Sequence, residues 1–123
     1  MADAVQTRAG VAVLVCDPDG PPIATMDDAL DLIGATYLGA EAVAVPAARL
    51  DERFFSLGTR FAGEIMQKFA NYRLTLAVVG DISEHLAASS ALRALVRESD
   101  RSGHVWFVPD LDALDARLAG RRP

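Results

Sequence analysis

The stretch whose reading decides the fold is Leu57–Asp81, LGTRFAGEIMQKFANYRLTLAVVGD. Leu57, Phe61, Ile65, Phe69 and Tyr72 recur three and four positions apart, the spacing that gives a helix one buried face. On the opposite surface Arg60–Glu64 and Glu64–Lys68 are i,i+4 pairs of opposite charge, each worth roughly 0.2–0.5 kcal/mol and supporting the helix only. Leu74–Val79 follows at once as an almost wholly apolar run, the pattern of a central strand, and it ends on Gly80-Asp81. A helix feeding directly into such a strand predicts an α/β fold.

Upstream, Val11–Cys16 is a second aliphatic run, preceded by Val5-Gln6-Thr7 and by Gly10, which predicts a hairpin with Gly10 in its turn. Asp17-Pro18-Asp19-Gly20-Pro21-Pro22 is a loop, because three prolines remove donors and Gly20 permits positive φ. Thr25 caps the next helix with Asp28 three residues on, and Met26, Leu30, Ile33 and Tyr37 form its apolar stripe. Gly39 fits the stop of that helix, Ala42–Val45 is a short strand ended by Pro46, and Ala47–Ser56 is a connection. Downstream, Ser83 or Ser89 caps a helix carrying Leu92, Leu95 and Val96. His104–Val108 is the last strand, and Asp110 caps a terminal helix with Leu111, Leu114 and Leu118 inward. The expected fold is a single-domain α/β mixed sheet in the order β-β-α-β-α-β-α-β-α, its later strands joined through helices by right-handed crossovers.

The composition agrees with one soluble domain: 123 residues, 51% hydrophobic and 24% charged. No apolar run approaches the roughly 20 residues that cross a bilayer, and Met1–Gly10 lacks a signal-peptide pattern, so the expected location is cytoplasmic, away from membranes. A net charge of −5 without a basic cluster argues against nucleic acid as a partner. Eleven arginines beside one lysine and twenty-two alanines point to codon bias in a GC-rich genome, which weakens any argument from arginine abundance. The lone Cys16 cannot form an internal disulfide and fits a buried, inert thiol.

Arg49-Leu50-Asp51-Glu52-Arg53-Phe54-Phe55, Ala62-Gly63-Glu64-Ile65-Met66-Gln67-Lys68-Phe69, Asn71-Tyr72-Arg73 and Val79-Gly80-Asp81 together resemble the bacterial family called "domain of unknown function 4180", over almost the whole chain. That resemblance brings no reaction with it. More remotely, the hairpin start and the alternation of strand and helix resemble the STAS-like fold of sulfate-transporter cytoplasmic domains and anti-sigma-factor antagonists. This second resemblance implies a protein-binding module switched by phosphorylation of a Ser or Thr near the helix after the third strand. Ser56 and Thr59 occupy the comparable region, although the Asp-Ser-Ser-Gly-like sequence of true antagonists is missing.

With its parallel strands aligned, the sheet would present Asp17, Pro46, Asp81 and Pro109-Asp110 along one carboxyl edge, where open α/β sheets bind ligands. Asp81, Ser83 and His85 are candidates for a small site there; a Gly80-Asp81 turn followed by a Ser83 cap is the structural alternative. Glu64, Gln67, Lys68 and Asn71 are the second candidate group, a recognition flank on and beside the long helix with Tyr72 and Arg73 at its end, against the alternative of a solvated helix face; Arg49 and Arg60 are further binding candidates. No metal site is expected: the Asp17-Pro18-Asp19-Gly20 segment has its glycine too early for a calcium loop, and His85 and His104 lack zinc-ligand spacing. No Gly-x-Ser-x-Gly elbow or Gly-rich phosphate loop occurs, and no cofactor is implied.

These readings lead to a non-enzymatic regulatory or interaction module that binds a protein partner, gated by phosphorylation at Ser56 or Thr59. A small-molecule binder with a pocket between the strand ends and the loop at residues 17–24 is the alternative, followed by an enzyme using Asp81 or His85 as acid–base group. Phe54, Phe55 and Trp106 supply aromatic surface for a homodimer, unless the core absorbs them.

Overall fold

Five strands form one sheet in the order β1-β2-β3-β4-β5, so each strand lies beside its neighbour in sequence. The structure, a computed structural model, describes residues 3–56, 60–102 and 104–121. β1 (Ala4–Arg8) and β2 (Val11–Val15) pair antiparallel, while β3 (Ala42–Pro46), β4 (Thr75–Val79) and β5 (Val105–Val108) continue the sheet in parallel. The hairpin turn uses both Ala9 (φ 48°) and Gly10 (φ 80°) in the left-handed region, the backbone a two-residue turn needs to match strand twist. A mixed sheet opened by a hairpin is the predicted arrangement.

Six helices are present among the described residues: α1 (Met26–Ala35), α2 (Glu52–Phe55), α3 (Phe61–Asn71), α4 (Ser83–Ala88), α5 (Ser90–Ser102) and α6 (Leu111–Arg121). Because every parallel step goes to the adjacent strand in the same direction, crossovers of one hand lay their helices on one face. That face buries Leu14, Val43, Val45, Leu76 and Val78 against Ile33 of α1, Phe54 and Phe55 of α2, Ile65 and Phe69 of α3, and Leu92 of α5. The other face is smaller in side-chain volume, with Ala42, Ala44 and Ala77 beside Val13, Trp106 and Val108. Leu114 and Leu118 of α6 close on it. Strand β3 shows the division directly: in Ala-Val-Ala-Val the alanines meet the single-helix face and the valines the multi-helix layer.

Local signals act as their chemistry dictates. Thr25 and Asp28 form a reciprocal capping box at α1, Gly39 (φ 112°) ends the turn after it, Ser89 Oγ accepts from Leu92 N–H, and Asp110 accepts from Ala113 N–H. Four details differ from expectation. The connection at 47–56 contains a 3₁₀ turn and α2, since Asp51 caps Arg53 N–H. The helix expected after β4 is two, separated at Ser89. Tyr37 and Tyr72, expected in apolar stripes, are exposed by 90% and 59%, because α1 ends at Ala35 and α3 at Asn71, so helical spacing stops before reaching them. Phe54, Phe55 and Trp106 are all buried, so they offer no aromatic surface for self-association.

Candidate functional site

The carboxyl edge of the parallel strands gathers Asp17, Pro46, Asp81 and Asp110 as expected from the strand directions. Its organising residue is Arg49, which is only 4% exposed although charged. Arg49 Nη1 donates to Asp3 Oδ1 at 2.9 Å and to Asp17 O at 3.1 Å, and Nε donates to Pro21 O at 2.9 Å. A buried guanidinium is stable only when its donors and its charge are met, and here the loop carbonyls and Asp3 meet them. The same Asp3 oxygen accepts Asp17 N–H at 2.8 Å. Gly20 leaves room beside it: a Cβ there would lie 2.6 Å from Arg49 Cζ, so the guanidinium would have to shift. Backbone hydrogen bonds from Ile23 N–H to Arg49 O and from Asp51 N–H to Ile23 O finish the tie between the 17–24 loop and the segment after β3. Arg53 reinforces it by donating to Ala24 O and Asp51 while its guanidinium lies 4.8 Å from the Phe61 ring centroid.

Beneath this loop is a cavity of about 310 Å³ lined by Asp3, Gly20, Asp28, Asp31, Leu32 and Arg49, among others. Asp28 is engaged in the α1 cap. The backbone N–H of Ala24, then the Thr25 hydroxyl and N–H, hold its carboxyl below the ordinary range.

The Asp81-Ser83-His85 group does not converge on a reaction centre. Asp81 Oδ1 accepts Ser83 N–H at 2.9 Å, and the Ser83 hydroxyl together with that N–H lowers the Asp81 pKa, the behaviour of a turn that starts a helix. His85 stacks on Phe55, with ring centroids 4.1 Å apart and planes 11° from parallel, so the imidazole extends the aromatic cluster. Beside it, an apolar cleft of about 260 Å³ runs over the ends of β4 and β5, between Ile82, Leu86, Val96 and Phe107. Cys16 is buried, and burial first, then the charge of Asp3, pushes its thiol up to about 12; it stays protonated at neutral pH and is no nucleophile.

The second candidate group behaves differently. Arg60, Glu64 and Gln67 line an open groove of about 450 Å³ with Gly63 and Leu95, so the seam between α3 and α5 brings three of the predicted residues together. Gly63 faces open space, where a side chain would meet nothing within 4 Å. The groove continues past Gln67 toward Ala70, Glu98 and His104. Gln67 Nε2 donates to Asn71 Oδ1 at 2.9 Å, Lys68 is half-buried, and Tyr72 sits at the far end of the helix, away from this seam. Ser56 is exposed at the end of α2, before the segment leading to Arg60; Thr59 lies outside the described residues, as does Leu57.

Sequence reading missed Asp3, the counter-ion of Arg49, because forty-six positions separate them. It also missed Arg53 as a loop tie, for which only the neighbouring Asp51 cap gave a signal. Among the described residues no group of three His, Cys, Asp or Glu side chains converges as metal ligands would, and no helix is long and apolar enough to cross a membrane.

The chain belongs to the family described as Domain of unknown function (DUF4180), whose model matches residues 8–118. No curated protein and no solved structure matches the chain.

Proposed function

We propose that this member of the DUF4180 family is a non-enzymatic interaction module that meets a protein partner through the seam between α3 and α5. One observation carries the reading: the titratable groups of the carboxyl edge are consumed by caps, stacks and the Arg49 tie, whereas Arg60, Glu64 and Gln67 line an open groove. Catalysis needs a base poised near a nucleophile and a place for developing charge. Recognition needs only complementary exposed groups around a concave, partly apolar surface.

The hairpin start and the alternation of strand and helix support a STAS-like reading, and with it a regulatory role in the cytoplasm. Phosphorylation of Ser56, exposed at the end of α2 and close in sequence to Arg60, would add about −1.5 to −2 charges. Thr59, which adjoins Arg60 in sequence, is the other candidate hydroxyl.

A rearranged charge pattern at the groove tests the proposal. Glu64→Arg together with Gln67→Glu is expected to abolish capture of the partner recovered with the wild-type chain, at an unchanged melting temperature. Capture that survives both substitutions would sink it. A second reading, a small-molecule site beneath the 17–24 loop, rests on the cavity at Arg49; thermal stabilisation of the wild-type chain by a fractionated metabolite pool, lost in Asp31→Ala, is its distinguishing result.

A further inference from the structure

The cavity beneath the 17–24 loop carries one cationic and one anionic group that the fold has not used. Arg49 supplies the first. Its Nη1 and Nε make the bonds to Asp3, Asp17 and Pro21, and Nη2 takes part in none of them. No side-chain nitrogen or oxygen among the described residues is both enclosed and unpartnered, so Nη2 reaches solvent although Arg49 as a whole is only 4% exposed. Its opening is the cavity, which Arg49 lines. A planar guanidinium fixed by three bonds presents its remaining donor in one direction, so little freedom is lost when an acceptor arrives.

Asp31 supplies the second. It lines the same cavity from α1, is exposed, and engages no described residue through a hydrogen bond or ion pair. Asp28, one helical turn earlier, also lines the cavity and keeps its charge, because the Ala24 and Thr25 N–H groups hold its carboxyl below the ordinary range. The rest of the wall is largely apolar and includes the buried Ile23 and Leu32.

Charge and hydrogen bonding together select the ligand. Asp3 offsets Arg49 at 2.9 Å, so Asp28 and Asp31 leave the cavity negative. An anion without a cationic group would meet that field, and a plain amine would satisfy Asp31 while cutting Nη2 off from water with no acceptor in exchange. A molecule with an ammonium and a carbonyl oxygen a few bonds apart meets both groups. An aliphatic remainder then covers Ile23 and Leu32, and a volume of about 310 Å³ keeps the whole ligand small.

We infer that this cavity binds a small aliphatic amino acid or its amide, with the ammonium on Asp31 and the carbonyl oxygen on Arg49 Nη2. The inference rests on the small-molecule reading given above and names its ligand class; the α3–α5 seam takes no part in it.

Titration calorimetry of the full chain tests it with four probes: L-leucinamide, L-leucine, isopentylamine, which lacks the carbonyl group, and 4-methylpentanamide, which lacks the amine. Leucinamide is expected to bind with a Kd of roughly 1 mM or tighter, and leucine more weakly, because its carboxylate faces the negative wall. Each truncated probe is expected to bind at least about tenfold more weakly than leucinamide, since it leaves one of the two groups unmet. The ligand is varied in place of Arg49 because that residue also holds the loop. Asp31→Asn is expected to weaken leucinamide at least about tenfold at an unchanged melting temperature, whereas Asp27→Asn, exposed on α1 but outside the cavity lining, keeps wild-type affinity. Isopentylamine binding as tightly as leucinamide, or equal affinity in the two Asn variants, would overturn the inference. So would silence from both leucine and leucinamide: if a metabolite fraction still stabilised the wild type and not Asp31→Ala, only the ligand class would fall, and if it did not, the small-molecule reading would fall as well.

Discussion

The carboxyl edge of the sheet and the α3–α5 seam hold similar kinds of residues and use them in opposite ways. At the edge, Arg49 is buried with its donors directed into loop carbonyls and Asp3, Asp81 and Asp110 serve helix starts, and His85 lies flat on Phe55. At the seam, Arg60, Glu64 and Gln67 are exposed around a groove. The contrast teaches that residue type alone does not mark function in this chain. What separates the two regions is whether the polar groups tie loops and start helices or stand exposed around an open groove.

Mutations can sharpen or break that contrast. The largest effect is expected at Arg49→Met, which strips Asp3 of its counter-ion and removes the side-chain donor to the carbonyls of Asp17 and Pro21. Removing one member of a buried pair commonly costs about 3–5 kcal/mol, and the low end applies because the Asp3 side chain keeps 24% of its exposure. Urea midpoints measure it; a loss under about 1 kcal/mol would place Arg49 with ordinary surface groups. A smaller effect belongs to Cys16. Its thiol is raised from 9.0 to about 12 in the folded chain, chiefly by burial, so below pH 9 both states hold the proton and the stabilisation is whole. Between those two pKa values the unfolded chain releases the proton and the native chain does not, so stability falls by up to about 1.4 kcal/mol per pH unit. Cys16→Ala should flatten that fall, and an equal alkaline slope in the two proteins would show the thiol is not its source. The smallest effects are expected on the exposed side: Gln67→Ala and Tyr72→Ser should each stay within about 0.5 kcal/mol of wild type in the same urea assay. A clear destabilisation there would move those residues from recognition to architecture.

Much of the framework was legible because its causes are local. The capping box of Thr25 and Asp28, the turn at Gly10, the stop at Gly39 and the alternating Ala-Val strand at 42–45 each depend on neighbours within a few positions. The edge could be located as well, since the apolar runs give the strands and the alternation with helices gives their direction. What escaped the sequence was partnership at long range. Arg49 stands among the binding candidates, but its partners Asp3, Asp17 and Pro21 lie 28 to 46 positions away and only the fold brings them to it. His85 next to Ser83 and Asp81 suggests chemistry, and only the fold reveals that it meets Phe55. The two tyrosines continue an apolar period that the backbone abandons a residue or two earlier, so the pattern pointed inward where the side chains point out.

The order of the sheet has a consequence for synthesis. Since no later strand must be inserted between two earlier ones, each β-α unit leaving the ribosome finds its neighbour already formed and can add to a growing edge. The exception is the alanine-lined face, which waits for α6. Until those last turns emerge, the nascent sheet carries an uncovered apolar side, and that is the moment at which a chaperone would find something to hold.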